Sequence, residues 1–175
     1  LLKQYGEEKT RLYYEANKNA LEQYARLCSG IKCDYEIKDN YVYSRDNRGK
    51  LEAECLAIEK IGKEVSFAEN VPLPIETAGA VCCHGQAQFH PLKFLTAIAD
   101  GLNIREHTFV REMIGNKAVT DNGTIDAKNV IVATHFPFIN KHGSYFLKLY
   151  QHRSYVMALK GVTAVGGMYV DEDKK

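Results

Sequence analysis

The apolar run Val130-Ile131-Val132-Ala133 constrains the fold more than any other feature of this sequence. A strand with one face in water alternates apolar and polar side chains, and this run shows no such alternation. It therefore predicts a strand covered on both faces, as strands of parallel sheets are. Small residues at the carboxyl end of such a strand let a ligand approach the backbone, and Ala133-Thr134 lie there. A purely structural reason for these small residues is equally open.

A helix and several short strands are predicted ahead of this run. Pro91 suits the first position of a helix after His90, and Gly101 marks the end of that helix. A strand is expected over 104–110, followed by a meander of three short strands. We expect the strand 104–110 to lie in one sheet with 130–133.

The rest of the chain mixes helices with strands that suit a separate, mainly antiparallel sheet. Helical spacing of apolar residues covers 1–28, interrupted at Gly6, and recurs from Leu51 to Ile61, where Gly62 can end the helix.

Two further strand regions are predicted in this second group. Alternation over 33–44, interrupted by Asp39-Asn40, predicts a hairpin with a tight turn, and 150–159 is a predicted strand. We expect 33–44 and 150–159 to share one sheet.

Composition excludes some functions. The formal net charge is +1, from 23 basic and 22 acidic residues, so there is no electrostatic reason to expect nucleic acid or an anionic membrane as a partner. Five irregularly spaced cysteines indicate a reducing compartment. No signal peptide or membrane-spanning run is recognisable, so a cytoplasmic protein is expected. Because the chain begins at Leu1 within a helical pattern, we expect it to be an internal fragment of a longer polypeptide.

The order of elements resembles the second half of the FAD-binding domain in the D-amino-acid oxidase, glycine oxidase and sarcosine oxidase superfamily. Three phrases carry the resemblance: Gln88-Phe89-His90-Pro91-Leu92-Lys93-Phe94, Ala133-Thr134-His135-Phe136-Pro137 and Tyr150-Gln151-His152-Arg153-Ser154-Tyr155. The resemblance implies a fragment of an enzyme that oxidises the C–N bond of an amine or amino acid by hydride transfer to FAD.

The resemblance also implies roles for individual residues. Val110 matches a residue whose backbone meets the adenine, and Ala133, Thr134 and His135 match the corner near the cofactor. Arg153 and Tyr155 match a strand of the substrate domain. A guanidinium such as that of Arg153 can pair with a substrate carboxylate through two parallel donors. An ordinary surface ion pair for Arg153, and a packing role for His135, are equally open.

The family's G-x-G-x-x-G loop, which grips the FAD pyrophosphate at a helix N-terminus, is absent from this sequence. We therefore expect FAD in the full-length parent but not in this fragment, which should be inactive by itself. The catalytic residues stay unknown. A non-enzymatic binding module on the same scaffold is the alternative function.

Other candidate sites are weaker. Cys82-Cys83-His84 with His90 suggests a metal, but adjacent cysteines rarely direct both sulfurs to one ion, so no metal site is expected. His90 is expected to cap or precede its helix.

The predicted fold class is mixed α/β: a partial Rossmann-like FAD-binding domain with a meander, plus part of an antiparallel substrate-binding sheet. Residues 1–28 and 79–140 are assigned to the first domain, and 29–78 and 141–175 to the second. Because 130–133 should need cover on both faces, we also expect the fragment to self-associate or to adopt a rearranged packing.

Overall fold

A computed structural model describes residues 1–136, 138 and 143–173. Its elements, in chain order, are α1 (Leu2–Cys28), β1 (Glu36–Ser44), α2 (Arg48–Lys60), β2 (Val65–Ala68), β3 (Gly79–Gln88), α3 (Pro91–Ala99), β4 (Val110–Ile114), β5 (Lys117–Thr120), β6 (Gly123–Asp126), α4 (Tyr145–Lys148) and β7 (Met168–Asp171). This mixture of helices and sheets confirms the predicted α/β class. None of the helices in the described part of the chain is long and apolar enough to cross a membrane.

The chain forms two compact units, Leu1–Gly101 with Val162–Lys175, and Leu102–Gly161. The first unit contains a four-stranded sheet in the order β2-β3-β1-β7, with β7 parallel to β1 and the other pairs antiparallel. The predicted cofactor and substrate domains have boundaries that differ from those of these two units, and that division stays a prediction.

Helix α2 covers one face of this sheet. Leu51 and Cys55 from the helix pack with Val81 of β3, and Val65 and Phe67 of β2 border this core. Asn47 caps the helix by accepting a hydrogen bond from the Lys50 amide at 3.1 Å.

A second small core joins the end of α1 to α3. Cys28, Cys33 and Phe94 are buried together, and the Tyr24 ring stacks on Phe89 at 5.4 Å between centroids. Gly6 kinks α1 with a left-handed φ of 78°, as its place in the helical pattern predicts. Pro91 begins α3, and the His90 side chain accepts from the Lys93 amide at 3.4 Å, so His90 has the predicted capping position.

The predicted hairpin at 33–44 is wrong, because Glu36–Ser44 form one continuous strand. The register with β3 changes between Lys38, which pairs with Gln86, and Asn40, which pairs with Cys83. One residue of β1, Asp39, thus lies opposite two residues of β3. The polar pair that suggested a turn marks a β-bulge.

The second unit contains the predicted meander. Strands β4, β5 and β6 form an antiparallel sheet, with two-residue turns at Gly115-Asn116 and Asp121-Asn122. Gly115 has a φ of 58°, a left-handed conformation that the commonest two-residue hairpin turns use at their first position and that glycine adopts without strain.

Three other predicted strands are wrong. Residues 104–109, 130–133 and 150–159 have no strand structure. In the first, His107 adopts a left-handed φ of 50°, which interrupts an extended chain. The other two have no hydrogen-bonded neighbouring strand among the described residues, and a strand is held only by such bonds. Ile131 is accordingly 90% exposed.

Candidate functional site

The sheet face opposite α2 carries a cluster of polar side chains. Because side chains alternate along a strand, Cys82 and His84 of β3 share this face, while Cys83 faces the α2 side. Neighbouring strands contribute Ser66 and Tyr41, which pair directly with Cys82 in the sheet register.

The bulge in β3 joins Asp39 to this cluster. Gly85, with a left-handed φ of 63°, forms part of the bulge, and its amide donates to Asp39 Oδ1 at 3.1 Å. The other carboxylate oxygen, Oδ2, lies 3.0 Å from His84 Nδ1. Bulges often redirect side chains beside functional sites, and this one brings a carboxylate of β1 to an imidazole of β3.

His84 contacts three side chains through its two ring nitrogens. Nδ1 lies 3.0 Å from Asp39 Oδ2 and 3.6 Å from Cys82 Sγ, and Nε2 lies 2.8 Å from Ser66 Oγ. The imidazole is half-exposed, whereas Cys82 is buried. The ring is therefore held at both ends and still accessible to solvent.

The electrostatics follow from these contacts. The hydrogen bond from His84 lowers the pKa of Asp39 below its usual value. The hydrogen bond to Cys82, followed by burial, raises the pKa of Tyr41 to about 12. Burial raises the pKa of the Cys82 thiol.

An open groove of about 750 Å³ runs beside this cluster. His84, Gly85 and Gln86 line one side, and Tyr14 and Lys18 of α1 line another. His84 thus connects the cluster to an open groove of mixed charge.

Asp39, Cys82 and His84 also offer one potential metal ligand each. Their oxygen, sulfur and nitrogen atoms all lie within 4.8 Å of one another, and they are the only such group found among the described residues. Sequence spacing suggested Cys82, Cys83, His84 and His90 together. In the structure, Cys82 lies beside His84. Cys83 lies on the other face of the sheet, and His90 caps α3. Asp39, 43 positions before Cys82, could not be recognised from spacing.

The predicted cofactor residues lie elsewhere, in the second unit. Val110 is half-buried at the start of β4 and pairs with Thr120. Ala133, Thr134 and His135 are exposed. Thr134 Oγ1 donates to the Phe136 carbonyl at 2.9 Å, which closes a local turn. No hydrogen bond links Val110 to the 133–135 corner in the part of the chain that the structure describes.

The predicted substrate residues, Arg153 and Tyr155, lie in a segment without regular structure. Tyr155 is 87% exposed, and Arg153 forms no ion pair within the described ranges. The structure therefore does not bring the cofactor and substrate candidates together, and their roles stay predictions.

Comparison with known proteins places the chain in a family. Residues 2–173 match the family described as "FAD dependent oxidoreductase", DAO. A provisionally named Rieske 2Fe-2S iron-sulfur protein of Bacillus subtilis (strain 168), YhfW, is 30% identical over 187 aligned positions. That alignment covers 99% of this chain but only 37% of YhfW.

A solved glycine oxidase from Bacillus cereus ATCC 14579 is 20% identical, with a TM-score of 0.49 over 69% of this chain and 37% of the oxidase. The family match extends over nearly all of the sequence. This chain therefore belongs to the DAO family of FAD-dependent oxidoreductases.

Proposed function

We propose that this chain forms part of an FAD-dependent oxidoreductase that oxidises the C–N bond of an amine or amino acid. The observation that carries the proposal is the family match over residues 2–173. Nearly the whole chain aligns with YhfW, but it spans only 37% of the length of YhfW. The activity is therefore proposed for the natural gene product and not for these residues alone.

The described residues do not fit the pyrophosphate of FAD. Two helices follow strands closely, α2 after Arg45-Asp46-Asn47 and α3 after Phe89-His90, and neither connection contains glycine. Asn47 and His90 already cap these helices with their own side chains. The amide groups that would bind a phosphate at either helix are therefore partly occupied.

The proposal is tested on the natural gene product over its whole length, purified under mild conditions. We expect the visible absorption bands of oxidised flavin, which bleach without oxygen when an amine or amino acid is added. Matched 2-hydroxy acids, which offer a C–O bond in the same position, should leave the bands unchanged. A colourless protein that does not bind added FAD, or bleaching by the hydroxy acids alone, would contradict the proposal.

Arg153 gives the proposed function a substrate class. A guanidinium with no ion-pair partner among the described residues is available to bind a carboxylate through two donors. We expect Arg153→Met to raise the KM for an amino acid about 10- to 100-fold, since a hydrogen bond to a charged group contributes about 1.5–3 kcal/mol. The KM for the corresponding amine without a carboxylate is the control and should not change.

A binding module without enzymatic activity is the second candidate. It is favoured by the exposure of Ala133, Thr134 and His135, which the family resemblance assigns to the cofactor corner. Absence of flavin from the full-length product would favour this candidate.

The Rieske cluster in the name of YhfW is not proposed for these residues. A Rieske centre needs two cysteines and two histidines, whereas the cluster found among the described residues offers one of each, with Asp39.

A further inference from the structure

We propose that Asp39, Cys82 and His84 form a binding site for a zinc ion on the sheet face opposite α2. The site is independent of the flavin chemistry proposed above. It would hold the metal through one oxygen, one sulfur and one nitrogen atom.

The distances between the ligand atoms are close to those a zinc ion requires. With zinc bonds of about 2.0–2.3 Å, tetrahedral ligands lie about 3.4–3.7 Å apart. Cys82 Sγ and His84 Nδ1 are already 3.6 Å apart, and Asp39 Oδ2 and His84 Nδ1 are 3.0 Å apart. All three atoms lie within 4.8 Å of one another, so changes of about 1 Å in these separations bring them to the distances that a zinc ion requires.

The backbone positions all three ligands before any ion binds. Cys82 and His84 are two residues apart on β3 and therefore share a face. Asp39 is held at the bulge, where its Oδ1 accepts from the Gly85 amide at 3.1 Å. That bond occupies one carboxylate oxygen and directs the other, Oδ2, towards the site.

Neighbouring side chains that would not bind the ion also support the zinc site. Ser66 Oγ lies 2.8 Å from His84 Nε2, so Nε2–H can donate to the hydroxyl while Nδ1 presents its lone pair to the metal. Tyr41 pairs directly with Cys82 on the neighbouring strand, so its hydroxyl is a nearby donor for a thiolate. Metal-bound histidines in general donate the N–H of their second ring nitrogen to a partner beyond the metal.

The ligand set favours zinc over magnesium or calcium. Sulfur and nitrogen donors suit zinc, whereas the hard cations prefer oxygen alone. When the ion binds, the Cys82 thiol releases its proton to solvent, and the thiolate with the Asp39 carboxylate balances the two positive charges. Since three protein ligands leave a fourth position of a tetrahedral ion free, water can bind there from the open groove that His84 lines.

The alternative without a metal is a chain of hydrogen bonds in which His84 Nδ1–H donates to Asp39 and Ser66 donates to Nε2. The two arrangements differ in the location of one proton on the ring. They also differ in whether Cys82 is needed as a ligand, and this difference can be measured.

The test is a titration of the 175-residue chain with Zn²⁺ by calorimetry and with Co²⁺ by absorption spectroscopy. We expect one ion per chain at micromolar concentration, and a near-ultraviolet charge-transfer band from a cobalt–thiolate bond. Cys82→Ser should abolish this band, and His84→Gln should weaken binding by at least about tenfold. Ser66→Ala, which alters an outer partner, should weaken it by about 10-fold or more.

Cys83→Ser is the matched control, because Cys83 is the next residue on the same strand but faces α2. It should keep both the band and the affinity. His84 is half-exposed, so His84→Gln should fold and remain informative even if Cys82→Ser does not. No binding below millimolar zinc, equal binding by His84→Gln, or loss of the band in Cys83→Ser alone would overturn the proposal.

Discussion

The Glu172 side chain is only 6% exposed and connects three parts of the first unit. Its carboxylate accepts from Ser44 Oγ at 3.0 Å and pairs with Lys50 of α2, while its amide donates to the Tyr43 carbonyl. A single residue thereby fixes the chain after β7 to β1 and to α2.

Replacing this residue should destabilise the first unit. We expect Glu172→Ala to lower the free energy of unfolding by about 1–2 kcal/mol, because the buried Ser44 hydroxyl loses its acceptor and Lys50 its partner. Glu172→Gln keeps an acceptor for Ser44 and should cost less. Urea denaturation of the three proteins tests the ranking, and an unchanged midpoint for Glu172→Ala would refute it.

Two exposed ion pairs predict how stability responds to acid. The hydrogen bonds from Arg48 lower the pKa of Glu69, and that from Lys93 lowers the pKa of Asp34. A carboxyl group whose pKa is lower in the folded state stabilises the fold above its ordinary pKa, and this contribution is lost as pH falls through the folded-state value. Stability should therefore decrease below pH 4.5, the ordinary pKa of glutamate.

Glu69→Gln should make this acid decrease shallower, since it removes one of the carboxyl groups whose pKa is lowered in the folded state. The control is Glu76→Gln, at an exposed glutamate with no ion pair among the described residues. The test is to measure the urea midpoint across the acid range for both variants and for the wild type, and to compare how steeply each falls with pH. A curve for Glu69→Gln that parallels the wild-type curve would show that the Arg48 pair has no such role.

Among the elements, β3 begins at Gly79, where little space separates its backbone from Phe67 and Ala68 of β2. Gly79 has a φ of 122°, and a Cβ atom there would lie 2.6 Å from Phe67 Cζ and 3.0 Å from the Ala68 carbonyl oxygen. Only glycine fits both the backbone conformation and the space.

Gly79→Ala should therefore lower the free energy of unfolding by about 2–3 kcal/mol, from overpacking and backbone strain together. Gly62→Ala is the matched control, because Gly62 also has a left-handed φ, of 84°, but no atom lies within 4 Å of its Cβ position. It should cost about 1–2 kcal/mol from strain alone. Equal losses of unfolding free energy in the two variants would show that the Phe67 ring moves aside at no energetic cost.

The elements that sequence predicts well are those defined by local chemistry. Gly6, Gly62 and Pro91 mark helix boundaries because backbone restrictions act within one or two residues. The meander turns follow equally from local residues, as at Gly115.

The sequence predicts less well what depends on distant partners. The pattern around Asp39-Asn40 suits a turn, but pairing with β3 keeps this segment extended and places a bulge of β3 opposite Asp39. The apolar run 130–133 reads as a buried strand, yet no described strand pairs with it. Asp39 joins Cys82 and His84 through strand pairing alone, so local spacing could not find the cluster.

At the scale of the whole molecule, the exposed apolar side chains predict association. Ile131, Tyr155, Val156 and Met157 are each at least 82% exposed. Since exposed apolar surface favours contact between copies, we expect the apparent mass to increase with concentration in light scattering. Addition of a hydrophobic dye should give strong fluorescence. A constant monomer mass at high concentration, with no dye binding, would contradict this expectation.

The chain belongs to an FAD-dependent family, yet its described residues do not fit the FAD pyrophosphate. We therefore expect that these residues need further structure to hold the cofactor. Immobilising a large flexible ligand costs about 4–15 kcal/mol. The backbone and van der Waals contacts assigned to Val110 and Ala133-Thr134 are individually weak. They should not offset this cost without donors for the pyrophosphate.

The most direct measurement is a calorimetric titration of the 175-residue chain with FAD, beside the same titration of the natural gene product over its whole length. We predict no saturable micromolar binding by the 175-residue chain and stoichiometric binding by the full product. Stoichiometric micromolar binding by the 175-residue chain would contradict the account, because these residues would then hold the pyrophosphate without the glycine-rich loop.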